Sequence, residues 1–330
     1  MITFLTHLHS WFYRPISTKV AAIFRIATGT VLFLSFLLSA PYIRQFFSSG
    51  GYVSKEFVSR VANPNTLSLF YYLDAYWFVL GAFIVMMASI LLYTFGIAAR
   101  LNALVIYVLS LSFYNRFPLI SFDGNALMIM MFLFATFLNS DRAYSPAWWQ
   151  VRRDAMNVAF AKTTLGRFIE KHLMLPQPEK TGTVAGWSAR LIQLNFAFVY
   201  LFAAFSKIRA DAWFVQGTEA GKVLNFEYAT ANFTWLSSYP LIMACMTWGS
   251  MLLELGFPFL IWFKETRRFA LFGLIVIHGS SMLTLNVSYF AETMLALGTI
   301  FLIDEDLTVT KKYFKKAQQN ISLPWTRRKA

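Results

Sequence analysis

The sequence predicts an all-α fold, a polytopic transmembrane bundle of about eight helices, and three observations carry that expectation. Apolar residues fill 57% of the 330 positions and charged residues only 14%, whereas a soluble domain carries about a quarter charged. The mean hydropathy is +0.52. The apolar residues also fall in runs close to the ~20 that a helix needs to cross a bilayer. Too little polar side chain is present to cover a water-exposed surface.

Spans are expected near 20–43, 73–95, 99–115, 122–138, 187–206, 240–262, 268–285 and 287–303. Gly96 and the run Glu265–Arg268 mark tight connections between neighbouring spans. Before the first span, MITFLTHLHSWFYRPIST alternates apolar and polar residues and reads as an interfacial segment, not a cleaved signal peptide. The membrane part is expected over 1–303, with an inner connection near 139–186 and a basic cytoplasmic tail over 304–330. Within that connection, Trp148, Trp149, Arg152 and Arg153 with spaced Val, Phe and Leu residues predict an amphipathic helix on the inner leaflet.

Charge asymmetry supports an even span count. With the N-terminus inside, 22 of the 29 Lys and Arg fall on the inner side and 7 on the outer, as insertion favours. An odd count scrambles this split. The expected location is therefore a cell (inner) membrane with both termini cytoplasmic. The net charge of +13 is assigned to anionic lipid headgroups at the inner face, and no nucleic-acid recognition element is present. The single cysteine, Cys245, rules out an internal disulfide and a CxxC thiol pair. With four His and no HxxxH cluster, no metal site is expected. No GxSxG elbow, P-loop or GxGxxG opens a helix.

Charges inside apolar spans are the informative residues, because each costs about 2.5–3.5 kcal/mol at the bilayer centre on insertion scales. Arg25 and Glu254 reach comparable depths from the inner side, and a buried structural pair between them is expected; Arg190 is the rival partner. Lys207 stands at the outer end of its span, where insertion disfavours Lys. Gln193, Tyr200 and Lys207 recur every seven residues and share one helix face. A polar stripe of this kind points into the bundle, and a part-shielded amine there suits a general base. The plainer alternative is a Lys snorkelling at a helix end. His278 lies in the outer half of the seventh span, as a packing residue or as a participant in chemistry. Asp123 and Glu292 stand near the starts of two spans, where each could simply complement a helix N-terminus; Asp123 could equally pair with Arg116. With Tyr200 and Gln193, the residues Arg116, Asp123 and Glu292 are candidates to line a substrate or cofactor pocket.

Three blocks, FAFVYLFAAFSKIRADAW, MLLELGFPFLIWFKETRRFAL and IHGSSMLTLNVSYFAETMLAL, resemble the HTTM domain, the membrane domain shared with vitamin K-dependent gamma-carboxylase. RPISTKVAAIFRIATGTVLF, YTFGIAARLNAL and YNRFPLISFDGNALMIMMFLFATFL extend the resemblance over about 11–303. It implies that Lys207, after Val199-Tyr200, is a base acting with a reduced quinone and that His278 lines the pocket. It also implies a peptide or protein substrate. Two departures from the carboxylase are expected: Tyr114-Asn115-Arg116-Phe117 stands where it has a functional His, and a large lumenal domain after the last span is not expected. Two classes of function follow: a quinone-dependent membrane enzyme with an outward-facing site, or a non-catalytic helper binding a lipid, peptide or partner protein through the same cavity.

Overall fold

The computed structural model describes residues 2–52, 54, 57–58, 60, 67–116, 123–163, 183–184, 186–286 and 289–308. These form thirteen α-helices and one two-stranded ribbon. The helices are α1 (Ile2–Tyr13), α2 (Thr18–Ser39), α3 (Ile43–Phe47), α4 (Tyr76–Phe95), α5 (Ala99–Arg116), α6 (Asp123–Ala135) and α7 (Ala147–Ala161) in the first half. In the second half come α8 (Gly186–Ile208), α9 (Asp211–Phe214), α10 (Glu219–Leu224), α11 (Pro240–Leu260), α12 (Lys264–Thr284) and α13 (Phe290–Gly298). A helix stands at each of the eight expected spans.

Four apolar helical stretches are long enough to cross a membrane by length and composition: Thr18–Phe47, Tyr76–Phe95, Gly186–Ile208 and Pro240–Leu260. Two shorter apolar helices, Ala126–Ala135 and Phe290–Phe301, accompany them. Large apolar side chains stand exposed along these helices, among them Trp77 at 77% and Leu241 at 75%. A soluble monomer does not present such a surface over its whole girth; a chain solvated by acyl chains does.

The two halves pack into one core. In the first, α4 lies against α2 and α5, and α5 against α6; in the second, α11 lies against α8 and α12. Contacts of α13 with α2, and of α6 with α8, join the halves. At one end, β1 (Ile16–Ser17) pairs antiparallel with β2 (Thr183–Val184), which ties the start of α2 to the start of α8. Ser17 also caps α2 by accepting a hydrogen bond from the Lys19 amide. The turn after α4 closes on Gly96 in the left-handed region (φ +75°), as a C-terminal helix cap requires.

The expected Arg25–Glu254 pair does not form. Arg25 is fully buried in α2 and donates to the carbonyls of Thr94 (3.3 Å), Ser140, Ala143 (3.3 Å) and Tyr144 (2.9 Å), and to Ser145 Oγ (3.2 Å). The chain after α6 wraps around the guanidinium and spends its donors on backbone oxygens. The rival partner Arg190 is engaged elsewhere as well, by Gln193 Oε1 (2.5 Å) and the Trp11 carbonyl (3.3 Å).

Candidate functional site

Glu254 instead meets Lys207. Lys207 Nζ lies 2.5 Å from Glu254 Oε1, with the two side chains 21% and 10% exposed. The reason is the path of the chain between α8 and α11. Residues 209–239 do not stand clear of the bundle: α9 and α10 pack against the first turns of α11. Trp248 Nε1 donates to the Phe214 carbonyl (3.1 Å), and Thr247 Oγ1 accepts from the Ala220 amide (3.0 Å). The beginning of α11 is therefore occupied by this connection, and α8 meets α11 further along. Glu254 lies fourteen residues into α11, about 21 Å from its start. Side chains lean toward the N-terminus of their own helix, so on antiparallel neighbours Lys207 and Glu254 lean toward each other.

Tyr200 Oη and His278 Nε2 share a 2.5 Å hydrogen bond, and Tyr200 and His278 are 3% and 4% exposed. Phe257 stacks on Tyr200 at 4.5 Å between ring centroids, and Phe290 meets the His278 ring edge-on at 5.7 Å. Trp213 of α9 lies under the Lys207 ammonium, 4.3 Å from its ring centroid. Three helices thus deliver four ionisable groups to one apolar region. Two polar atoms, Glu254 Oε2 and His278 Nδ1, are buried without a hydrogen-bond partner in the protein.

The remaining candidates separate from this cluster. Gln193 is buried and donates to the Ile300 carbonyl (2.8 Å) while accepting from Arg190; it shares a face with Tyr200 but serves the other end of α8. Arg116 is buried at the end of α5, away from the cluster. Asp123 opens α6, and its side chain lies outside the described residues. Glu292 occupies the first turn of α13, two residues from Phe290. Trp213, Phe257 and Phe290 went unrecognised in the sequence because one aromatic among 35 Phe and 10 Trp carries no mark of its neighbours. The Lys207–Glu254 contact had one available signal: both are charges that an apolar helix must neutralise, and neutralisation is cheapest by each other.

The apolar helices and their buried polar cluster define an integral membrane protein. Residues 169–305 match the family model of the HTTM domain. The matched residues span α8 to α13 and contain all four members of the cluster. No curated protein and no solved structure matches the chain.

Proposed function

We propose that this is a multi-pass membrane enzyme of proton-transfer chemistry, with Lys207 as its base and both termini on the cytoplasmic side of the cell membrane. The observation that carries the reading is the convergence of Tyr200, Lys207, Glu254 and His278 within apolar helices, with Glu254 Oε2 and His278 Nδ1 left unbonded. Buried ionisable groups are expensive in a membrane and mark functional sites. A cluster needed only for packing would satisfy its polar atoms internally.

The contact between Lys207 and Glu254 offers a way to free the amine. A proton moved across those 2.5 Å leaves a neutral amine and a neutral Glu254 carboxyl, with the proton held on Oε1. The Tyr200–His278 hydrogen bond gives a second path for a proton beside it. The resemblance to gamma-carboxylase supplies the substrate class, an acidic side chain on a peptide or protein, and the co-reactant, a reduced quinone. The residues suit such a group: a quinone is a flat ring bearing two oxygens, the rings of Tyr200 and Phe290 lie against the His278 imidazole with its unbonded Nδ1, and Phe257 stacks on Tyr200. When bound, it would supply the reducing equivalents for oxygen activation; Lys207 would take a proton as the base, and His278 would orient groups around it.

Oxygen uptake by the purified protein in nanodiscs, with a short-chain naphthohydroquinone, tests this reading. Wild-type protein is expected to exceed the protein-free rate. Lys207→Met should lower the excess by about 10²–10⁴-fold, while Arg209→Met, at an exposed neighbour, leaves it intact. Wild-type uptake no faster than the protein-free control would remove the quinone reading. A non-catalytic helper is the second reading, favoured by the enclosure of Lys207 between Glu254 and the Trp213 ring, an arrangement that also suits a cation held for structure.

A further inference from the structure

At the end of the bundle away from Lys207 lies a cleft of about 530 Å³. It is walled by α1, β1, the start of α8, the turn joining α11 to α12, and residues 300–305. Along α8, Arg190 and Lys207 are seventeen residues apart, about 25 Å, so the cleft is separate from the cluster above. Arg190 borders it and is held in position by Gln193 Oε1 and the Trp11 carbonyl, with the Trp11 ring 5.1 Å from its guanidinium carbon. None of these partners carries a negative charge. Arg14 lines the same cleft and brings a second positive charge to it.

The carboxylates around the cleft are already engaged. Asp304 accepts from the Ser17 hydroxyl (2.7 Å), Glu305 faces Lys264 (3.7 Å), and Asp306 accepts from Arg267 and Arg268 (3.1 and 3.2 Å). Arg267, which also lines the cleft, has a buried Nε with no hydrogen-bond acceptor. The guanidinium groups of Arg14 and Arg190, and a third with a spare donor, border a space large enough for more than a bare phosphate. Beside them Trp11 and Trp262 meet edge-to-face at 5.3 Å, the residue type that gathers at the membrane–water boundary. The opposite wall is apolar, with Ile261, Ile300 and Phe301.

We propose that this cleft binds the phosphate headgroup of an anionic phospholipid, with Arg14 and Arg190 as its principal ligands and Arg267 as a third donor. Guanidinium matches phosphate by paired charge-assisted hydrogen bonds. The phosphate balances the positive charges of Arg14 and Arg190, and the apolar wall leads the glycerol and acyl chains toward the hydrocarbon. The site lies where lipid headgroups lie, at the end of a bundle of apolar helices. It uses the membrane class of the protein but not the chemistry of Lys207. A bound headgroup would clamp α1 to the second half of the chain.

Native mass spectrometry of the protein in a neutral maltoside detergent, titrated with dioctanoyl phosphatidylglycerol, reads the binding. The wild type is expected to bind it, and dioctanoyl phosphatidylcholine more weakly, with inorganic phosphate a poor competitor. Arg14→Ala and Arg190→Gln should each weaken phosphatidylglycerol at least about ten-fold, since each removes charge-assisted hydrogen bonds. Equal affinity of both variants and wild type overturns the proposal, as does equal binding of the two lipids. Competition by inorganic phosphate at equal concentration would assign the site to a soluble phosphate and overturn the lipid source. Arg14 is exposed, so Arg14→Ala keeps the test decisive if Arg190→Gln does not fold. Lys207→Met should bind phosphatidylglycerol as wild type does, so failure of the proposed chemistry and failure of this site give different results.

Discussion

The guanidinium of Arg25 is fully buried in α2, and the four carbonyls and one hydroxyl around it come from the end of α4 and the chain after α6. It works as a staple joining three segments, and the turn at Gly96 is shaped to admit it. A Cβ at Gly96 would stand 2.5 Å from Arg25 Nη1 and 2.6 Å from Cζ, on a backbone at φ +75° that L side chains avoid. Gly96→Ala therefore carries the left-handed backbone penalty of about 1–2 kcal/mol as well as displacement of the staple. Arg25→Met strands several buried carbonyls, each worth about 1–3 kcal/mol when unsatisfied, and should cost at least about 3 kcal/mol. Thermal unfolding in detergent checks both. A wild-type midpoint for Arg25→Met would show that water or lipid satisfies those carbonyls without it.

At the scale of elements, the contact between α8 and α11 is governed by the chain that links them. Reading hydropathy alone puts residues 209–239 outside the bundle, Lys207 at a helix end and Glu254 well below it. The structure folds α9 and α10 back along the first turns of α11, which brings the two charges level. Hydropathy cannot reveal this, because a short helix packed on a neighbour needs no long apolar run. Replacing one member of the pair leaves the other buried and alone, at about 3–5 kcal/mol. Lys207→Met and Glu254→Gln should each lose stability on that scale, and the double variant should recover part of the sum. A double-mutant cycle on unfolding midpoints measures the coupling. Additive losses would mean that the 2.5 Å contact contributes nothing to the fold, and strengthen its assignment to chemistry.

For the whole molecule, the expected topology of eight crossings with both ends inside makes a direct prediction. In a Cys245→Ser background, needed because Cys245 is exposed, cysteines placed singly at Gly50 and Ser237 should both react with a membrane-impermeant maleimide in intact cells. Reaction of both only after permeabilisation reverses the orientation. Reaction of one alone refutes the even count. The shortness of α6 and α13 and the basic start of α12 make the count depend on how these helices sit beside the four long apolar ones. Their contacts within the core, not their own hydropathy, hold them there.

The positions of the helices along the chain were legible in the sequence because bilayer thickness imposes a length, and apolar runs of that length stand out from 14% charged residues. So was the standing of Lys207, Tyr200 and His278 as unusual residues, since a charge or a hydrogen-bonding group in an apolar helix is costly wherever it points. Which residues meet was decided by tertiary structure alone. Arg25 took backbone carbonyls instead of Glu254, and Glu254 took Lys207. Gln193 left the face it shares with Tyr200 for Arg190 and Ile300. The physical reason is that hydropathy fixes the depth of a helix only loosely, within the few turns that a connection such as 209–239 can shift it. A hydrogen bond or ion pair is made or lost within a fraction of one turn.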